Sequence, residues 1–153
     1  MQVNKVLVAV HGGESDSEAL WLAHTMTREA KGKIHVVYVI EVQRALSLDA
    51  DMGNEGIKGE DALRHIEGIA KQYHCKLEAG ILRARDAGPA LVQEAVDLEV
   101  EAVIIAVPYK MHHGVFSLGD TVPYVLENTP CPVLLLRGDA KVNGYALPPT
   151  THR

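Results

Sequence analysis

Cysteine is scarce in this sequence of 153 residues, with only two thiols, and there is one tryptophan and one phenylalanine. Cys75 and Cys131 are too few for a disulfide framework and lack the clustered spacing of a zinc site, so we expect reduced structural thiols. Basic residues are not in excess either: fifteen Lys and Arg against twenty Asp and Glu give a net charge of -5. Scattered along the chain, they form no basic face for a phosphate backbone, which excludes nucleic acid as a partner. No apolar run approaches the roughly 20 residues needed to span a bilayer. The opening "MQVNKVLVAVHGG" enters an apolar run at once, without a basic leader or cleavage site. The expectation is a soluble, cytoplasmic protein with no membrane partner.

What the chain does have is alternation. Apolar residues make up 47% of it, enough for one core that buries about 70% of the unfolded surface. Val3 to Val10 is rich in β-branched residues and stopped by Gly12-Gly13, which predicts a strand buried on both faces. Ser15 and Glu18 have capping-box spacing, and Ala19, Leu20, Ala23, Met26 and Ala30 recur at helical intervals, predicting a helix over about 15–31. Trp21 and Met26 read as packing residues of that helix. "KIHVVYVIEV" is a second strand. A polar, Gly-containing loop is expected over 43–59, then a helix marked by Leu63, Ile66, Ala70 and Tyr73. With Asp49, Asp51 and Gly53, that loop reads as a flexible connection rather than a lid. "CKLEAGILRA" alternates as an edge strand does, and Pro89 opens a third helix with Leu91, Val92, Ala95 and Val96 inward. "EAVIIAV" and "CPVLLLR" are the fourth and fifth strands. Between them lies a helix from about Asp120 to Asn128, with Pro123 in its first turn where no N–H is needed.

Strands alternating with helices imply right-handed βαβ units and a doubly wound α/β domain with helices on both faces of a parallel sheet. Residues 1–137 form that domain, and 138–153, "GDAKVNGYALPPTTHR", read as a polar C-terminal tail. Ligands of such sheets bind beyond the carboxyl ends of the strands, where the winding reverses. That directs attention to "HGGESDS" after the first strand and "PYKMHHGVFSLGD" after the fourth.

"KVLVAV" with its small-residue turn, "KIHVVYVIEV" with its long following loop, "DAGPALVQEAV", "EAVIIAV" and above all "GDTVPYVLENTPCPVLLLR" resemble the universal stress protein family in order and spacing. The resemblance implies a five-stranded sheet of order 3-2-1-4-5 and a homodimer pairing fifth strands through Val133, Leu134, Leu135 and Leu136. An apolar edge of that kind, left unpaired, is an aggregation hazard, which agrees with pairing. Nucleotide-binding members carry a Gly, another three residues on, a third ten residues later, and then Ser or Thr. Those positions fall here on Ala106, Tyr109, Gly119 and Asp120, so one glycine survives. Glycines let the backbone approach phosphates, and a helix N-terminus offers them N–H groups and positive potential. Tyr109 fills that space. Asp120 is expected to cap the helix with its own carboxylate and to repel a phosphate. Thr121 offers a hydroxyl one position late. The family has Asp at the end of the first strand, where His11 stands, which removes a hard oxygen ligand for magnesium. If AMP or ATP still binds, the resemblance places it against Gly119 and Thr121, with Val39 or Ile40 on the base.

If the first and fourth strands are neighbours, His11, Lys110, His112 and His113 converge. Three readings stand: a metal site of His11, His112 and His113; an anion site of protonated imidazoles with Lys110, weakening as pH rises through about 6.5; or solvated loop residues beside a hydrogen-bonded His11. Gly12-Gly13 with Ser15 and Ser17 lacks the Lys-Ser/Thr ending of a P-loop and reads as a turn and helix cap. A flavin carrier would share the layout, but the hydroxyl-rich phosphate loop it needs is missing. Ser117 in "FSLGD" lacks the glycines of a nucleophile elbow. No catalytic residue is assigned. The expectation is a non-enzymatic, homodimeric binding or regulatory module that does not take ATP in the family manner. The alternatives are an AMP- or ATP-binding stress protein and a small metal-dependent enzyme.

Overall fold

The computed structural model describes residues 2–107 and 118–138, together with the backbone of 111–112, 115–116, 141–142 and 145–146. Five strands, β1 (Lys5–Val10), β2 (Lys33–Glu41), β3 (Leu77–Ala84), β4 (Ala102–Val107) and β5 (Val133–Arg137), form one parallel sheet in the order β3-β2-β1-β4-β5. Every pairing is parallel, with Lys5 opposite Lys33, Val6 opposite Ala102, Ile34 opposite Leu77 and Val103 opposite Val133. The fold is the α/β architecture expected, with the switch between β1 and β4.

The two-residue period of the strands sorts the core into two layers. Val6, Val8, Val10, Val36, Tyr38, Ile40 and Ile104 face α1 (Ser15–Thr27) and α2 (Asn54–Gln72), meeting Leu20, Ala23, Leu63 and Ile66. Leu7, Ala9, Val37, Val103, Ile105 and Val107 face α3 (Ala87–Asp97) and α4 (Thr121–Asn128), meeting Leu91, Ala95, Val122 and Val125. β1 and β4 are buried along their whole length apart from Lys5, as continuous apolar runs in a doubly covered sheet must be. β3 alternates in burial as an edge strand does.

Several expectations are corrected. Helix α1 ends at Thr27 rather than Lys31, because Gly32 turns back to donate to the Thr27 carbonyl, with Lys31 at φ 52°. Helix α2 begins at Asn54, inside the segment expected to be loop. Gly59, which argues for a loop in sequence, is a packing requirement: a Cβ there would stand 3.0 Å from Tyr38 Cδ1 and 3.2 Å from Ile81 Cδ1. Val96 points outward, 47% exposed, and Trp21 is 55% exposed, whereas Met26 is buried as expected. The capping box of Ser15 and Glu18 does not form, since Glu14 is the cap residue and no side chain caps the helix.

Candidate functional site

The carboxyl ends of β1, β2 and β4 open into a cleft of about 360 Å³, closed on the other side by the starts of α3 and α4. Its walls are mostly apolar: Ala9, Val10, Val39, Leu91, Ile105, Ala106, Val107, Leu118 and Val122. Its polar groups are His11, Tyr38, Gly119, Asp120 and Thr121. The size lies near the lower end of the roughly 300–1,000 Å³ typical of small-molecule sites, and the apolar walls with few polar groups are of that kind too.

The β1–α1 turn is organised by a residue that motif reading passed over. Asp16, buried to 1% exposure, accepts the backbone N–H of His11 at 3.0 Å and that of Gly12 at 2.7 Å. A buried carboxylate is tolerable only with such donors, and the two bonds fix the direction of the turn. Gly12 takes φ 87°, open to glycine and strained for other residues. Ser15, also buried, donates its hydroxyl to the Val107 carbonyl at 3.5 Å, leaving Oγ to accept from Nε2 of His11 at 2.9 Å. Ser15 therefore bridges the ends of β1 and β4. His11 Nε2 also lies 3.7 Å from Asp16 Oδ1, so the imidazole at the rim stands beside a fixed negative charge.

At the opposite rim, Gly119 adopts φ 69°, where a glycine is needed, which accounts for the one glycine that matches the motif. Asp120 occupies the cap position of α4 with φ -97° and ψ -29°, and its carbonyl accepts the Tyr124 N–H at 3.3 Å. Its carboxylate makes no cap hydrogen bond, contrary to expectation. An αR backbone does not direct the side chain over the first turn as the extended cap conformation does. Asp120 is exposed, and the first N–H groups of α4 are not covered by it.

Of the other sequence candidates, Val39 and Ala106 line the cleft, while Ile40, 1% exposed, is buried on the opposite face of the sheet. The cleft, at the strand ends, draws lining residues from both layers, and of this pair Val39 is the one it includes. Gly12 shapes the turn rather than the lining. Tyr109, Lys110 and His113 lie outside the described residues, and of His112 only the backbone is described, in an antiparallel pair with Val115. The proposed convergence of His11, His112 and His113 therefore lies largely outside them as well. Among the described residues no cluster of three His, Cys, Asp or Glu side chains could hold a metal ion, and no helix is long and apolar enough to cross a membrane.

Tyr38, Ala87, Leu91, Val107 and Val122 line the cleft and were not among the site residues expected from the sequence. Periodicity marks such residues as core, and only the sheet order tells that they stand at a strand or helix end. Burial pushes the Tyr38 hydroxyl above the usual phenol range, helped by the nearby charges of Glu55 and Asp16. The 43–53 segment contributes nothing to the lining. Arg85 donates to the carbonyls of Gln43 at 2.6 Å and Leu46 at 2.7 Å, and Arg83 to that of Ala50 at 2.6 Å. Glu41 Oε2 accepts the first N–H of α3, from Ala87, at 2.8 Å, which fixes the helix start that closes the cleft.

The universal stress protein family model matches residues 2–137. A universal stress protein of Methanocaldococcus jannaschii is 22% identical over 143 residues, covering 90% of this chain and 84% of its own. Among solved structures, a universal stress protein from Archaeoglobus fulgidus superposes with a TM-score of 0.71 at 17% identity, over 86% of this chain and 97% of that one. A structure of the universal stress protein from the same organism in complex with dAMP gives 0.69 at 16% identity, over 89% and 99%. Sheet order, cleft position and the match along nearly the whole chain agree, and the protein belongs to the universal stress protein family.

Proposed function

We propose that this protein is a homodimeric binding module of the stress response whose cleft takes an adenine nucleoside monophosphate without a metal ion. The observation that carries the reading is the cleft itself: an apolar slot that ends at a helix start not covered by a side-chain cap. A flat purine fits between Val39 and Leu91, and its phosphate reaches the N–H groups and positive potential at the start of α4, beside Gly119 and Thr121. A similarly folded protein from Archaeoglobus fulgidus in complex with dAMP supports the ligand class.

Two residues favour a monophosphate over a triphosphate. His11 at the end of β1 supplies an imidazole where magnesium, which prefers oxygen ligands, would need a carboxylate. The exposed Asp120 carboxylate at the cleft rim opposes further negative charge. The dimer is supported by β5, which pairs with β4 on one side and ends the sheet on the other, with Leu135 38% exposed.

Thermal denaturation with AMP, ADP and ATP in turn tests the reading. A ligand at a hundredfold excess over its dissociation constant stabilises by about 2.7 kcal/mol. AMP should raise the melting temperature more than ATP at equal concentration. No shift with any of the three would remove the nucleotide reading.

A further inference from the structure

Gly80 stands in the middle of β3 without a reason inside the fold to be glycine. A glycine within a strand weakens it and commonly marks a bulge, a tight bend or the close approach of a ligand or another backbone. The register from Leu77 opposite Ile34 to Ala84 opposite Glu41 runs unbroken, which argues against the first two. Its φ lies outside the left-handed region, and a Cβ there would meet nothing within 4 Å, so neither conformation nor crowding requires the glycine. What its missing side chain does is leave space. Gly80 lies in a groove of about 200 Å³ between α3 and the β2–β3 face, walled by His35, Glu78, Leu82, Glu94 and Leu98. The groove shares no residue with the nucleotide cleft.

The groove runs along an open edge. β3 ends the sheet on the side opposite β5, and among the described residues no backbone hydrogen bond joins 77–83 to any element but β2. Exposed edges are commonly blunted by shortness, Lys, Pro or a bulge. β3 spans eight residues and has none of these. Its one cation, Arg83, is turned to the Ala50 carbonyl, to which it donates at 2.6 Å. An edge of this kind takes an added strand, with backbone hydrogen bonds supplying affinity and pockets for alternate side chains supplying specificity.

Residues opposite one another on paired strands share a face. Glu78, Gly80 and Leu82 face α3, so an incoming residue opposite Gly80 points into the groove where Gly80 leaves room. Charge then selects that residue. Two carboxylates, Glu78 and Glu94, line the groove, and no Lys or Arg is among its described lining residues. His35 Nδ1 stands 3.8 Å from Glu78 Oε2 and is the other titratable group there. Leu82 and Leu98 offer an apolar wall to an aliphatic stem, and the carboxylates offer acceptors to a cationic head.

We propose that the β3 edge docks an extended segment of a partner protein, which pairs along 77–82 and places a Lys or Arg opposite Gly80, between Glu78 and Glu94. This site is independent of the nucleotide reading.

A library of extended eight-residue peptides, Thr and Val in alternation with every residue type in turn at one central position, tests it against the full chain. Peptides with central Lys or Arg should be retained above all others. The central-Lys peptide, labelled and titrated by fluorescence anisotropy, should bind Gly80→Val at least about tenfold more weakly, and Glu78→Gln with Glu94→Gln likewise. The melting temperature of Gly80→Val should not fall, because the added side chain meets nothing and valine favours strands. A library without preference for Lys or Arg, or undiminished binding to Gly80→Val, would overturn the proposal. So would self-association of the chain that Gly80→Val abolishes while the peptides fail to bind, which would identify a second copy as the occupant.

Discussion

Asp16 Oδ2 accepts the N–H of Gly12 at 2.7 Å, closing the β1–α1 turn from inside the protein. With Oδ1 on the His11 N–H, one buried carboxylate holds the two residues that carry the chain from β1 into the turn. Asp16→Ala leaves both N–H groups without their acceptor and should cost about 3 kcal/mol, the scale of two charge-assisted bonds less what water recovers. Urea denaturation should show a lower midpoint with an unchanged slope. Asp16→Asn keeps one acceptor oxygen and should lose about half as much.

Gly59 packs α2 against Tyr38, which lines the cleft. Alanine there would gain about 1 kcal/mol of helix propensity, but its methyl would stand 3.0 Å from Tyr38 Cδ1. Overpacking of about 1–3 kcal/mol wins, so the melting temperature of Gly59→Ala should fall. Tyr38 lines the cleft, so a nucleotide should also bind more weakly. A variant with unchanged affinity would show that the ring yields without disturbing the site.

The β5 edge carries the dimer reading. Leu135→Lys places a charge on an exposed edge position, a device that blocks strand pairing. Sedimentation should report a dimer for the parent and a monomer for the variant.

The legible and illegible parts of this fold divide along physical lines. Continuous apolar runs such as "VLVAV" and "VIIAV" mark doubly covered strands, and alternation in "LEAGILRA" marks an edge, because burial on two faces or one leaves that pattern directly. Gly59 misled because its reason is a tertiary contact with Tyr38, which local propensity cannot contain. Ser15 has the right spacing to cap α1, yet its hydroxyl serves Val107, 92 residues away, while Asp16 ties the turn. Asp120 stands at the correct cap position, but the αR backbone there keeps its carboxylate from the role. In the site, residue types at the strand ends were readable, whereas the choice of Val39 over Ile40 required knowing how the strand ends stand around the cleft.

Burial raises the thiols of Cys75 and Cys131 above the ordinary range. For a group whose folded value is raised, the contribution to stability is complete below the unfolded value, about 8.5, and is lost as pH rises through the folded value. The unfolded chain releases its protons first and gains by doing so. Stability should therefore be level near neutrality and decline above about pH 8.5. Cys75→Ala with Cys131→Ala should flatten that decline. Parallel curves for the two proteins would assign the loss to other groups, of which Tyr38, also raised by burial, acts at higher pH.

The central claim is that the cleft takes an adenine nucleoside monophosphate without a metal ion. Calorimetric titration of AMP, once with magnesium and once with a chelator, tests it most directly. One site per chain is expected, with the same affinity in both titrations. Affinity that depends on magnesium, or no heat of binding in either titration, would contradict it.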